Sequence, residues 1–191
     1  MVITELATSE VHKLPSHTVA NIIYTIDNIN SSICKNKHLQ LNKNLYGIKT
    51  RTNKIPRTIF IYDASGVEII VGILMNQYSK LTPLEIKMIT ERTTNMKNND
   101  KLFPWNDLKK TLLQDPNIYF HHENETINNK LIGHLLQWRD TAQMNKKEVA
   151  EKMHVTYTYL CQLERKPIKA SILTIHNYAK ACGVDEINII I

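Results

Sequence analysis

Val19, Ile22, Ile23, Ile26 and Ile29 recur at three- and four-residue spacing, which predicts an amphipathic helix from Ser16 to Asn30, opened by Pro15 and Ser16. After a basic stretch the pattern shortens to strands. Leu45 to Thr52 reads as one strand, Asn53 and Lys54 as a turn, and Pro56 to Tyr62 as a second strand rich in β-formers. Asp63-Ala-Ser-Gly66 marks another turn. Val67 to Met75 follows as a run so continuously apolar that both of its faces should be covered. Thr82-Pro-Leu-Glu85 has capping-box spacing with proline at the first helical position, and Ile86 and Ile89 supply the buried stripe of a helix. The first half is therefore mixed α+β.

From Trp105 onward the spacing is helical. Helices are predicted at Asn106 to Leu113, Lys130 to Thr141, Lys146 to Met153, Tyr157 to Glu164 and Ile172 to Cys182. Asn145, Thr156 and Ser171 are the N-caps, and Gly183 is the stop. Asp185 to Ile191 is read as a terminal strand, too apolar to stand in water alone. The polar run from Asn95 to Pro104 is the expected break between two domains.

At 191 residues and 42% apolar content the chain can bury cores. Twenty-four Lys and Arg against eighteen Asp and Glu give a net charge of +6, which favours a polyanionic partner. Cys34, Cys161 and Cys182 form neither a disulfide framework nor a paired metal site, so a reducing cytoplasm is expected. The amino terminus lacks a secretory pattern, and no run is apolar for eighteen residues; no membrane partner is expected. His121, His122 and Glu123 are read as exposed loop residues, with no metal and no cofactor assigned. Trp105 and Trp138 are read as core or interface anchors.

Lys146 to Met153, the tight His154-Val155 connection and Thr156 to Glu164 make two short helices at helix-turn-helix separation. Val149, Met153, Val155, Leu160 and Leu163 would form the internal core, with Ala150 where the helices approach closely. From Leu131 to Gly183 the segment resembles the Cro/repressor class, the Xre-type helix-turn-helix. The resemblance implies that the helix from Tyr157 enters the major groove, with Thr156, Tyr157, Thr158, Tyr159 and Gln162 facing DNA and Lys146 and Lys147 clamping phosphates. It also implies a structural pair between Arg139 and Glu164. His154 stands where that class has a glycine at a left-handed turn, and Lys166 stands where it has a glycine after the Glu-Arg pair.

Between Asp27 and Asp63 no acidic residue occurs, while Lys35, Lys37, Lys43, Lys49, Arg51, Lys54 and Arg57 place seven positive charges in thirty-five residues. Period two sets Lys49 and Arg51 on one strand face and Tyr46, Ile48 and Thr50 on the other. A sheet with such a face could hold a phosphodiester and offset charge developing as a 2′-hydroxyl attacks it. The element order, with Leu45-Tyr-Gly-Ile-Lys49 and Leu81-Thr-Pro-Leu-Glu-Ile86, resembles toxins of the RelE/HigB superfamily, ribosome-dependent mRNA endonucleases. The resemblance implies a curved antiparallel sheet with helices on one side, and Arg57 on the scissile phosphate with Lys49 and Arg51 beside it. Where the superfamily has paired basic residues after the apolar strand, this chain offers Tyr78 and Lys80.

Trp105 to Pro116 resembles the leader helix of HigA-type antitoxins, and the whole therefore resembles a toxin and its antitoxin fused in one chain. The expected organisation is a toxin domain at 1–99, a linker and leader helix at 100–129 and a helix-turn-helix domain at 130–191. Tethering fixes the ratio at one to one and raises the local concentration toward millimolar. The leading expectation is a cytoplasmic, homodimeric transcriptional autoregulator binding operator DNA and carrying a silenced or degenerate toxin domain. The alternative is an active mRNA endonuclease, acting on the ribosome and inhibited in cis. The terminal strand would pair across the dimer or add to the toxin sheet.

Overall fold

Six strands and eight helices are present among the described residues, which in the computed structural model are 1–28, 38–42, 45–49, 55–76, 81–99 and 101–189. The fold is mixed α+β, and the chain divides into two units, Met1–His122 and Glu123–Ile191.

The first unit opens with β1 (Val2–Thr4), α1 (Glu5–His12) and α2 (Ser16–Asp27). Thr4 ends the strand and caps the helix, its Oγ1 accepting the Ala7 N–H at 3.2 Å. Then come β2 (His38–Asn42), β3 (Leu45–Lys49), β4 (Ile55–Tyr62), β5 (Glu68–Asn76), α3 (Pro83–Asn99), β6 (Leu102–Pro104) and α4 (Trp105–Leu112). The capping box that opens α3 is formed: Glu85 Oε2 accepts the Thr82 N–H at 2.7 Å and Thr82 Oγ1 accepts the Glu85 N–H at 3.2 Å. The strands form one sheet in the order β2-β3-β4-β5-β1-β6.

The apolar run of β5 is covered on both faces, as its lack of alternation predicts. Ile70 and Ile73 join a core with Val19, Ile22, Ile23 and Ile26 of α2. Ile69, Val71 and Leu74 join another with Ile59 and with Ile89 of α3. A β-bulge between Ile59 and Phe60 shifts the register on the way. Gly72 sits beneath side chains of α3, since a Cβ there would lie 2.9 Å from Ile89 Cδ1 and 3.0 Å from Arg92 Nη1. β1 pairs with β5 only as far as Ile70, and α1 packs along the edge beyond it. There Glu10 Oε2 accepts the Ile73 N–H at 2.8 Å, while its Oε1 meets Arg92 Nη1 at 2.7 Å. A carboxylate thus stands in for the missing strand.

Several expectations are corrected in this unit. The sheet is mixed rather than antiparallel, because β1 runs parallel to β5. Helices lie against both of its faces rather than one. The expected break at Asn95 to Pro104 lies inside the unit: β6 pairs with β1 through Phe103 and Ile3, and Trp105, Leu112 and Ile118 are buried in the α2 core. The helix expected over Ser16 to Asn30 ends at Asp27, with residues 29–37 outside the description, as are Thr50 to Lys54 of the expected strand and turn.

α5 (Pro116–Thr141) crosses the boundary between the units, so His121, His122 and Glu123 lie within a helix and not in a loop. The second unit continues with α6 (Lys146–Lys152), α7 (Tyr157–Arg165), a short 3-10 turn at Pro167–Lys169 and α8 (Ile172–Ala181). Its core is Leu135, Val149, Ala150, Leu160, Leu163, Ile175, Tyr178 and Cys182, with Trp138, Met153, Val155 and Ile189 packed against it. Residues 185–189 carry no strand, a correction to the expected terminal one. Ile189 packs against the helical core of this unit instead. Among the described residues no helix is long and apolar enough to cross a membrane.

Candidate nucleic-acid interface

The second unit places two short helices at a tight crossing. Asn145 opens α6 with a complete capping box: its Oδ1 accepts the Lys147 N–H at 2.8 Å and the Glu148 N–H at 3.2 Å, while Glu148 Oε2 accepts the Asn145 N–H at 2.6 Å. The chain leaves α6 through His154 at φ 54°, the left-handed position expected of it, and the Val155 N–H returns to the Ala150 carbonyl at 2.9 Å. Histidine tolerates that region at a cost of about 1 kcal/mol. Thr156 Oγ1 then accepts the Tyr159 N–H at 3.1 Å and starts α7. At Lys166 the backbone has φ −144°, so a lysine fits there without the strain a left-handed turn would bring.

One side of α7 is core and the other is free. Leu160 and Leu163 are buried beside Val149 and Ala150. Thr156, Thr158 and Gln162 are exposed, and Tyr157 and Tyr159 are 50% and 43% exposed. Lys147 is exposed on α6. A shallow recess of about 270 Å³ is lined by Tyr159, Gln162, Leu163, Arg165, Lys166, Lys169 and Ala170. Arg165, Lys166 and Lys169 lie outside the residues the helix-turn-helix resemblance implies, though three cations within five residues at the helix end are a usable sequence signal.

Glu164 organises the buried side. It is 5% exposed, and its Oε1 meets Arg139 Nε at 3.1 Å and accepts the Tyr178 hydroxyl at 2.8 Å. The Arg139–Glu164 pair is therefore present. Burial and the bond to Glu164 hold the Tyr178 phenol well above its ordinary value near 10. Lys146 Nζ lies 3.0 Å from Glu164 Oε2, which raises the lysine above its ordinary value. The Tyr157 hydroxyl is raised by the neighbouring Cys161 thiol. Cys161 is half-buried and Cys182, the C-cap of α8, is buried; burial pushes the Cys182 thiol up.

In the first unit, the β3–β4 register sets Lys49 directly opposite Arg57, and Arg57 opposite Leu74 of β5. The side chains of Lys49 and Arg57 lie outside the described residues, as do Arg51, Tyr78, Lys80 and Cys34 altogether. Tyr46, Phe60 and Tyr62 form an aromatic cluster, Tyr46 stacked on Phe60 at 5.6 Å and edge-on to Tyr62 at 5.2 Å. Trp105 is core and Trp138 is half-buried against the second core. No group of three His, Cys, Asp or Glu residues suited to a metal occurs among the described residues. Comparison with family models, with curated proteins and with solved structures finds no match for the chain.

Proposed function

We propose that the second unit binds duplex DNA through α7 and that the chain is a cytoplasmic transcriptional autoregulator of toxin-antitoxin type, its first unit a silenced toxin domain. The observation that carries this reading is a capped second helix whose inner side is core while Thr156, Tyr157, Thr158, Tyr159 and Gln162 stay exposed. Gln162 has the chemistry to pair with adenine, and the tyrosines can bond phosphate or pack on thymine methyl groups. Lys147, Arg165, Lys166 and Lys169 supply cations for the flanking backbone. One such helix reads few base pairs, so a homodimer on two half-sites a helical turn apart is part of the reading. A footprint of the full chain on its own upstream DNA tests it. Gln162→Ala should weaken the specific footprint far more than retention on scrambled duplex. Equal loss on both, or no salt-dependent binding at all, refutes it.

A second reading, an mRNA endonuclease acting on the ribosome and inhibited in cis, is favoured by one observation: Lys49 and Arg57 are cross-strand partners in a segment free of acidic residues. Growth arrest and message cleavage by residues 1–122, abolished by Arg57→Ala, would support it. Unimpaired growth would rule it out.

A further inference from the structure

Lys146 stands at the first position of α6, where a phosphate contact is the obvious assignment, but its ammonium, on a side chain 39% exposed, is paired with a buried carboxylate. Its Nζ is 3.0 Å from Oε2 of Glu164, whose side chain is 4% exposed. Arg139 Nε and the Tyr178 hydroxyl make their contacts at the other oxygen, Oε1. Swinging Lys146 out to a phosphate would strip its counter-charge from a carboxylate oxygen that water hardly reaches. Arg139 would still pair the carboxylate through Oε1, but an oxygen left buried with no partner costs more than one solvent-exposed ion pair returns.

The same ammonium also feels Cys161 and Tyr157. Tyr157, Cys161 and Glu164 follow one another on α7 at steps of four and three residues, so they form one stripe along that helix. The Lys146–Glu164 contact ties the head of α6 to the last turn of α7.

We infer that Lys146 is a positioning residue: it fixes the angle at which α7 crosses α6, and thereby the aim of Tyr159 and Gln162, and it makes no phosphate contact. The aim at DNA rests on the proposed function; the fastening of Lys146 to Glu164 does not. The phosphate-facing charge of this unit then comes from Lys147 and from the cations at the far end of α7, Arg165, Lys166 and Lys169.

The test uses the full chain with two duplexes, its own upstream DNA and a scrambled copy, titrated between 50 and 200 mM salt. Each phosphate contact contributes about 0.9 to the slope of log K against log salt, or about 3.5-fold in affinity over that range. Lys146→Met should keep the wild-type slope while losing at least about tenfold on the upstream duplex relative to the scrambled one, and Lys146→Arg should restore the discrimination. Lys166→Met, as comparator, should lower the slope by about 0.9 on both duplexes. A slope lowered by about 0.9 in Lys146→Met, with both duplexes weakened alike, overturns the inference. A second arm needs no DNA. In a double-mutant cycle by urea unfolding, Lys146→Met should shift the unfolding constant by about fivefold or more in the wild type and hardly at all beside Glu164→Gln. Independent, additive effects overturn the fastening whatever the DNA result. Coupling in a protein that binds neither duplex upholds the fastening, and the positioning role falls with the proposed function.

Discussion

Glu10 ties β5, α1 and α3 of the first unit together through one carboxylate. Its carboxylate accepts the Ile73 N–H at 2.8 Å on the stretch of β5 that β1 does not reach, and holds Arg92 Nη1 at 2.7 Å. Glu10→Ala leaves a backbone donor on a strand covered on both faces with nothing to bond, a cost of about 1–3 kcal/mol. It also frees Arg92. Both side chains of that pair are 20% exposed, so water recovers part of the charge and roughly 1 kcal/mol is a fair share. The expected total is about 2–4 kcal/mol, whereas Glu10→Gln keeps an oxygen for the Ile73 N–H and should cost only about 1 kcal/mol. Urea unfolding followed by Trp105 fluorescence in a Trp138→Phe background reads the first unit, since Trp105 lies in its core. Hydrogen exchange at the Ile73 amide reads the bond itself. An Ile73 amide that stays fully protected in Glu10→Ala, or equal costs for the alanine and glutamine variants, would refute the idea that this carboxylate closes the sheet edge.

Three further outcomes are expected. His154→Gly removes a side chain from a backbone held at φ 54° and should raise the unfolding free energy of the second unit, from urea titration, by up to about 1 kcal/mol; a lower value would mean the imidazole is in use. Ala150→Leu overfills the α6–α7 contact, where Ala150 is buried and its carbonyl accepts the Val155 N–H, and should cost about 1–3 kcal/mol by thermal melting. On the alkaline side, the Tyr178 phenol and the Lys146 ammonium both have folded pKa values raised above their unfolded ones. The stability each contributes is complete below pH about 10 and is lost as pH rises beyond it; the buried Cys182 thiol, also raised, starts its loss from about pH 9, so urea midpoints of the second unit should be level to about pH 9 and then fall, more steeply beyond 10. Tyr178→Phe should start lower and fall less steeply; an unchanged alkaline limb would disconnect the tyrosine from it.

What was legible in the sequence was local. Thr156 and Asn145 cap helices through bonds to residues two and three positions on, and the apolar stripe of Val149, Leu160 and Leu163 follows from helical period alone. Thr82 and Glu85 formed the box their spacing announced. The misses depend on partners distant in sequence. β1 and β6 are three residues each and exist because they pair with one another and, for β1, with β5. Leu102 to Pro104 therefore looked like a linker, and α1, burying only Ala7 and Val11, offered too thin a stripe. The polar run His121 to Glu125 hid the first half of α5, although Asp115 before Pro116 is a start signal, and Asp115 Oδ1 does accept the Asn117 N–H at 2.8 Å. At the candidate interface the exposed residues of α7 could be named in advance. The pairing of Lys146 with Glu164 could not, because the partner lies on the far turn of another helix.

The burial of Trp105, Leu112 and Ile118 in the α2 core bears on where a toxin-like piece could be cut from this chain. A fragment ending at residue 99 loses β6, the antiparallel partner of β1, and leaves Ile3 on an open edge. It also loses three buried side chains worth about 1.5–3 kcal/mol each, together about 5–9 kcal/mol. That is comparable with the whole stability of an ordinary domain, about 5–15 kcal/mol. Residues 1–122 should therefore unfold cooperatively in urea while 1–99 should show no cooperative transition and should be cleaved rapidly by a broad-specificity protease. A cooperative, protease-resistant 1–99 would mean that α4 is an appendage that only rests on the first unit, as a separable leader helix would. If 1–99 instead fails to fold, its failure to arrest growth says nothing about catalysis, and the endonuclease reading has to be tested on the longer fragment.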